Sequence, residues 1–247
     1  MNFSEYTSPR WRPATSPPAP IVFVVDDDIS IRESLELLIR SAGWQPKISA
    51  SAEEFLARPR VFTPSCLLLD VNLPDINGLD LQRLIADRAQ LPIIFITGHG
   101  DVPMAVHAIK AGAVEFFTKP LVGDALLSAV RHALTRSHTA LRHEAQLSVL
   151  RDRYMSLSLR ERQVMALVVS GRLNKQVAGE LGISEITVKQ HRGKMMRKME
   201  AESLADLINM GARLRVAPEQ DGLRTRDRPP LAFLCSGPRS PTGCDFA

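Results

Sequence analysis

Four short apolar runs mark the first 120 residues, and each ends in a residue able to do chemistry. Ile21-Val22-Phe23-Val24-Val25 leads into Asp26-Asp27-Asp28. Cys66-Leu67-Leu68-Leu69 leads into Asp70, Ile93-Ile94-Phe95-Ile96 into Thr97, and Val114-Glu115-Phe116-Phe117-Thr118 into Lys119. The first three runs, apolar without alternation, predict strands buried on both faces, and the fourth predicts a strand ending at Lys119. Between them the period changes. Ile31, Leu35, Leu38 and Ile39 recur at helical spacing, and Gly43 ends that helix. Lys47–Ala50 reads as a weak edge strand. Helices are predicted over Ala52–Ala57, Leu79–Ile85, Val102–Lys110 and from Asp124 to about Ser137.

Strand and helix thus alternate five times. That pattern implies an α/β domain with a five-stranded parallel sheet and helices on both faces. The order 2-1-3-4-5 is that of flavodoxin-like folds, which such a domain resembles. It occupies residues 20–137, and residues 138–155 form a partly helical linker with Leu141, Leu147 and Leu150. Beyond it the chain turns wholly helical. Ser158 and Glu161 make a capping box. Val164, Leu167 and Val168 form the buried stripe that follows, and Ser170-Gly171-Arg172 breaks the helix. Asn174 opens a second helix with Val177, Ala178 and Leu181 inward. Gly182 turns the chain, Ser184 caps a third helix to about Met199, and Ser203 caps a fourth ending near Leu214. This is an all-α four-helix unit over 156–216 with a helix-turn-helix at its centre.

Composition sharpens the division. Residues 20–140 carry 11 Lys/Arg against 14 Asp/Glu, whereas residues 141–215 carry 14 against 8. An acidic front half suits a cation site and a basic rear half suits an anionic partner. The third helix carries Ile186 and, elsewhere on its surface, Lys189, Arg192, Lys194, Arg197 and Lys198. Residues 1–19 and 217–247 are rich in Pro and lack periodicity, so both are expected to be disordered, Trp11 included. No run approaches the roughly 18 apolar residues of a membrane span. Cys66, Cys235 and Cys244 have no metal-ligand spacing, which fits a reducing cytoplasm.

In an open parallel sheet the C-terminal strand ends line the ligand crevice. Acids, an Asp, a hydroxyl and an amine would therefore meet there. Over roughly residues 20–138 the chain resembles the receiver domain of two-component response regulators. Asp26 and Asp27 match the acidic pair, Asp70 the phospho-accepting aspartate, Thr97 the switch hydroxyl and Lys119 the lysine. The resemblance implies Mg²⁺ held by Asp27, Asp70 and the Asn72 carbonyl, with Asp26 acting through water and Asp28 a bystander. It also implies an aromatic switch at Phe116 and a cis Lys119–Pro120 bond. The segment Gly98-His99-Gly100-Asp101-Val102-Pro103-Met104-Ala105-Val106 resembles the FixJ branch. There the face with Val106, Ile109, Lys110 and the Asp124 helix would serve dimerisation, and His99 would lie near the hydrolytic water.

Residues 152–216 resemble the LuxR-type DNA-binding domain through Leu159-Arg160-Glu161-Arg162, Gly171, Asn174-Lys175, Ile183-Ser184 and Thr187-Val188-Lys189-Gln190-His191-Arg192. Lys189 and Gln190 are expected at base edges, since Lys reads guanine and Gln adenine. Lys175, Thr187, Arg192 and Lys194 are expected mainly at the DNA backbone, and Asn174 and Arg197 are also expected among the DNA-binding residues. Gly193 departs from a pattern that usually places a larger side chain there. The implied function is a transcription factor, not an enzyme. A sensor histidine kinase would phosphorylate it on Asp70, and it would then dimerise on paired promoter half-sites, with RNA polymerase downstream and no membrane. A receiver-shaped interaction switch, a constitutive DNA binder and an aspartate-based phosphohydrolase are the alternatives.

Overall fold

A computed structural model describes residues 18–98, 100 and 102–216. Expectations for both terminal segments, with Trp11, Cys235 and Cys244, and for His99 fall outside the described residues. Two compact units divide between Asp152 and Arg153.

The first unit is built on a parallel sheet in the order β2-β1-β3-β4-β5. The strands are β1 (Ile21–Val25), β2 (Gln45–Ser49), β3 (Ser65–Asp70), β4 (Ile93–Thr97) and β5 (Glu115–Thr118). Every residue of β1, β3 and β4 is buried, because the sheet is covered on both sides. Successive side chains enter different cores. Phe23, Val25, Leu67, Leu69 and Phe95 pack on one face with Phe55, Leu81 and Ala108. Val22, Val24, Leu68, Ile94 and Ile96 pack on the other with Leu35, Ile39, Leu126 and Val130. Emptying one such position, as in Leu68→Ala, costs about 2–5 kcal/mol. Strand β2 begins two residues earlier than its pattern suggests, since Gln45 and Pro46 pair with Ile21 and Val22. Pro46 is tolerated because this is an edge strand.

Five helices connect and follow the strands: α1 (Ile29–Ser41), α2 (Ala52–Leu56), α3 (Gly78–Leu84), α4 (Val102–Lys110) and α5 (Gly123–Met155). The fifth differs from expectation. The connector expected to continue from it partly as helix is helical throughout, so that α5 runs unbroken for 33 residues. No Gly or Pro interrupts residues 124–155, and Ala, Leu, Arg, Glu and Gln are strong helix formers. Buried Ser137 ties α5 to the strand-entry edge of the sheet. Its hydroxyl donates to Gln90 O at 2.6 Å and accepts from Ser65 N at 2.9 Å.

The second unit contains α6 (Leu159–Val169), α7 (Asn174–Leu181), α8 (Glu185–Met199) and α9 (Leu204–Leu214). Ser158, Ser184 and Ser203 each accept a bond from the backbone amide three residues on. Gly182 adopts φ +64°, the left-handed turn between α7 and α8 that glycine takes without strain. Val164, Met165, Val168, Val177, Val188, Met195, Met199 and Leu207 are buried. In α6 it is Met165, rather than Leu167, that reaches the core.

Candidate functional site

The strand register brings the candidate residues to one edge. Val25, Leu69 and Ser49 are level across β1, β3 and β2, and Thr97 is level with Thr118. The next residues along β1 and β5, Asp26 and Lys119, therefore emerge beside Asp70. Lys119 Nζ lies 2.7 Å from Asp26 Oδ2 and 2.7 Å from Asp70 Oδ2. The remaining oxygens are also used. Asp26 Oδ1 accepts from Asp28 N at 2.9 Å, and Asp70 Oδ1 accepts from Asn72 N at 2.9 Å. Exposed Asp27 completes a group of carboxylates whose oxygens lie within 4.8 Å of one another.

One ammonium thus bridges two of three clustered carboxylates. Burial pushes Asp26 above the usual carboxylate range, against the pull of Lys119 and the Asp28 amide. Burial alone would lower Lys119, but hydrogen bonds to Asp26 and Asp70 outweigh it and raise the lysine. A cluster left this negative can hold a further cation, and its hard oxygens suit a divalent one such as Mg²⁺.

The supports were less visible in the sequence. Arg32, on the first turn of α1, donates through Nη1 to Asp26 O at 2.7 Å and Asp27 O at 2.8 Å, which fixes the acidic loop from below. Asp28 is committed to capping α1, accepting from Ser30 N at 2.8 Å. Asp75 Oδ2 accepts from Glu53 N at 2.9 Å, tying the loop after Asp70 to α2. Gly78 passes so close to the acceptor strand that a Cβ there would lie 2.4 Å from Asp70 O. Serial position alone carried no signal for these long-range contacts.

Thr97 is fully buried, and Asn72 Nδ2 donates to its hydroxyl at 3.4 Å. Half-buried Phe116 packs 6.3 Å from Phe95, ring centre to ring centre. The backbone at Gly100 comes close to both. A Cβ on Gly100 would stand 2.8 Å from Phe116 Cε1 and 2.9 Å from Thr97 Cγ2. The Lys119–Pro120 bond is cis.

In the second unit, α8 buries Val188, Met195 and Met199 and exposes Ile186, Lys189, Gln190, Gly193, Lys194 and Arg197. Those exposed positions recur at three- and four-residue intervals and so share one face. Ile186 is on that face rather than apart from the cations, because the buried stripe starts at Val188. Arg192 is half-buried and donates to Asn174 Oδ1 at 3.0 Å. Thr187 serves the Ser184 cap, its hydroxyl 2.8 Å from Ser184 Oγ. Asn174, Lys175 and Arg192 line a groove of about 350 Å³ that also touches Leu204 and Ile208. Lys198 departs from expectation. Its ammonium sits 2.7 Å from buried Glu161 Oε2 and 3.2 Å from Ser156 O, so it is spent inside the unit.

Comparison with known proteins agrees with this geometry. Residues 22–131 match the family model of the response regulator receiver domain, and residues 155–211 match that of bacterial regulatory proteins of the luxR family. The response regulator protein TmoT of Ectopseudomonas mendocina is 48% identical over 196 residues, covering 79% of this chain and 89% of TmoT. The transcriptional regulatory protein FixJ of Azorhizobium caulinodans is 42% identical over 205 residues, covering 83% of this chain and 97% of FixJ. The solved structure of response regulator StyR superposes with a TM-score of 0.69 at 43% identity, covering 79% of this chain and all of StyR.

Proposed function

This chain belongs to the two-component response regulators that control transcription, and on that premise we propose that Asp70 is the residue phosphorylated by a sensor histidine kinase. The observation that carries the reading is Lys119 bridging Asp26 and Asp70 inside the three-carboxylate cluster. In the transfer, an Asp70 carboxylate oxygen forms a bond to phosphorus. The bond from phosphorus to the kinase histidine nitrogen breaks, and that nitrogen keeps the electron pair. The product is an acyl phosphate on Asp70.

Each neighbour has a task in this step. Asp26 and Asp27, with Asp70 and the Asn72 carbonyl, would hold Mg²⁺, which when bound screens the charge between carboxylate and phosphoryl group. Asn72 N keeps one Asp70 oxygen engaged and so orients the carboxylate. Lys119 exchanges one of its two carboxylate contacts for a phosphoryl oxygen. Thr97 turns its hydroxyl towards another, and Phe116 follows into the space vacated. The apolar face of α4, with Val102, Val106 and Ile109 exposed, then pairs with a second copy. Two copies present two α8 helices to paired half-sites in promoter DNA. Lys189 and Gln190 meet base edges, and Asn174, Lys175, Thr187, Arg192, Lys194 and Arg197 line the backbone side.

The working division is a receiver over 20–137, a connector over 138–155 and a DNA-binding domain over 156–216. The site of action is the cytoplasm, the output is activation and the downstream partner is RNA polymerase. Among the described residues no helix is long and apolar enough to cross a membrane. The test is intact mass after acetyl phosphate and Mg²⁺. Wild type should gain one phosphoryl group and Asp70→Asn none. A phosphoryl group retained by the variant would move the acceptor elsewhere.

A further inference from the structure

We propose that Ile186 reads the 5-methyl group of a thymine in the major groove. The inference rests on the DNA-binding reading of the second unit and adds a specificity residue to it. Ile186 is the second residue of α8 and is 70% exposed. It shares its face with Lys189 and Gln190, three and four positions on, and is separate from the Val188–Met195–Met199 stripe that anchors the helix. The face is otherwise Lys, Gln, Gly, Lys and Arg, so a large aliphatic side chain stands alone at its leading end.

The chemistry of the groove supplies a reason. Of the four base-pair edges, those with thymine present a methyl group, for which an apolar side chain is the complement. Lysine reads guanine and glutamine reads adenine, so neither neighbour performs this task. The first residues of a recognition helix are also the ones that approach base edges. One turn past Lys189 and Gln190 the face falls back to Gly193, where even a Cβ would touch nothing within 4 Å. Base reading is thereby concentrated in the first turns, at Ile186, Lys189 and Gln190, and Lys194 and Arg197 follow as phosphate-seeking groups.

The experiment selects duplexes from a randomised pool with the full chain after acetyl phosphate and Mg²⁺. Thymines in the selected site are then replaced one at a time by deoxyuridine, which lacks only the methyl group. At one thymine per half-site wild type should weaken about fourfold, the worth of one buried methyl. Ile186→Ala should lose that sensitivity, with less than about 1.5-fold change, and Lys194→Met should keep it. Because Ile186 is exposed, the alanine variant should retain the wild-type melting curve, which confirms that the helix is intact. A site in which no thymine shows the penalty overturns the proposal, as does a penalty that survives in Ile186→Ala. Binding that is indifferent to methyl groups sinks this inference alone, whereas a pool from which nothing is retained sinks the DNA-binding reading with it.

Discussion

Lys198 separates structural charge from DNA-binding charge on one helix. Its ammonium is 2.7 Å from Glu161 Oε2, and the Glu161 side chain is only 4% exposed. The same oxygen accepts from Ser158 N at 2.8 Å, so the pair closes α8 onto the capped start of α6. Replacing Lys198 by Met leaves a buried carboxylate with one amide. Removing one partner of a fully buried pair costs about 3–5 kcal/mol. Here the lysine is 41% exposed, which weakens the pair through solvent screening, and the Ser158 amide remains. A loss of about 2 kcal/mol follows, or a fall of roughly 10 °C in the melting of a domain this small. The hydrogen bonds from Lys198 and Ser158 overcome burial and hold Glu161 below the usual glutamate range. A depressed carboxylate stabilises above its unfolded value of about 4.3 and loses that contribution as pH falls through its folded one. The gap between wild type and Lys198→Met should therefore narrow below about pH 4. Binding to duplex DNA should respond differently. Each phosphate contact adds about 0.9 to the slope of log affinity against log salt. Lys194→Met should lower that slope by about one contact, and Lys198→Met should leave it unchanged. Thermal melting and a salt titration on both variants decide the matter. A lowered slope with unaltered melting in Lys198→Met would refute the assignment.

Three further outcomes follow from the receiver. Gly78→Ala places a methyl group 2.4 Å from Asp70 O, a backbone atom that cannot swing aside. A loss of about 3 kcal/mol or more is expected in chemical unfolding, and a change under about 0.5 kcal/mol would show that the loop yields freely. Gly100→Ala crowds both Thr97 and Phe116, the two residues proposed to move on phosphorylation. The gain in dimer association on phosphorylation should fall about tenfold in sedimentation, and an unchanged gain would contradict the reasoning. Lys119→Met removes the ammonium that holds an oxygen of each of Asp26 and Asp70. Mg²⁺ should then bind several-fold more tightly by calorimetry, and weaker binding would show that Lys119 supports the cation rather than competing with it.

The strands and the residues at their ends could be read from the chain because each rests on local pattern, whereas the order 2-1-3-4-5 came only from the fold type that strand–helix alternation suggested. Wholly apolar runs mark strands covered on both faces, as in β1, β3 and β4, and what stands at a strand's end emerges at the crevice, as Asp26, Asp70 and Lys119 do. Caps at Ser158, Ser184 and Ser203 are equally local, requiring only a side chain and an amide three residues on. Arg32, Gly78 and Gly100 escaped because their roles depend on contacts across the fold, for which spacing gives no sign. The end of α5 was misplaced for a related reason. A change of surroundings at Ser137 does not stop a helix when no residue breaks it. Lys198 shows the limit of counting charges, since a lysine facing Glu161 and one facing solvent look alike in sequence.

The central claim is that phosphorylation of Asp70 controls DNA binding, and it is tested most directly by the duplex affinity of the full chain with and without acetyl phosphate. The same Mg²⁺-containing buffer should serve wild type and Asp70→Asn. Wild type should bind a paired half-site at least tenfold more tightly once phosphorylated and should run as a dimer on it. Asp70→Asn should show one affinity under both conditions. Equal affinities for phosphorylated and unphosphorylated wild type would contradict the account, and so would a gain in affinity shared by the variant.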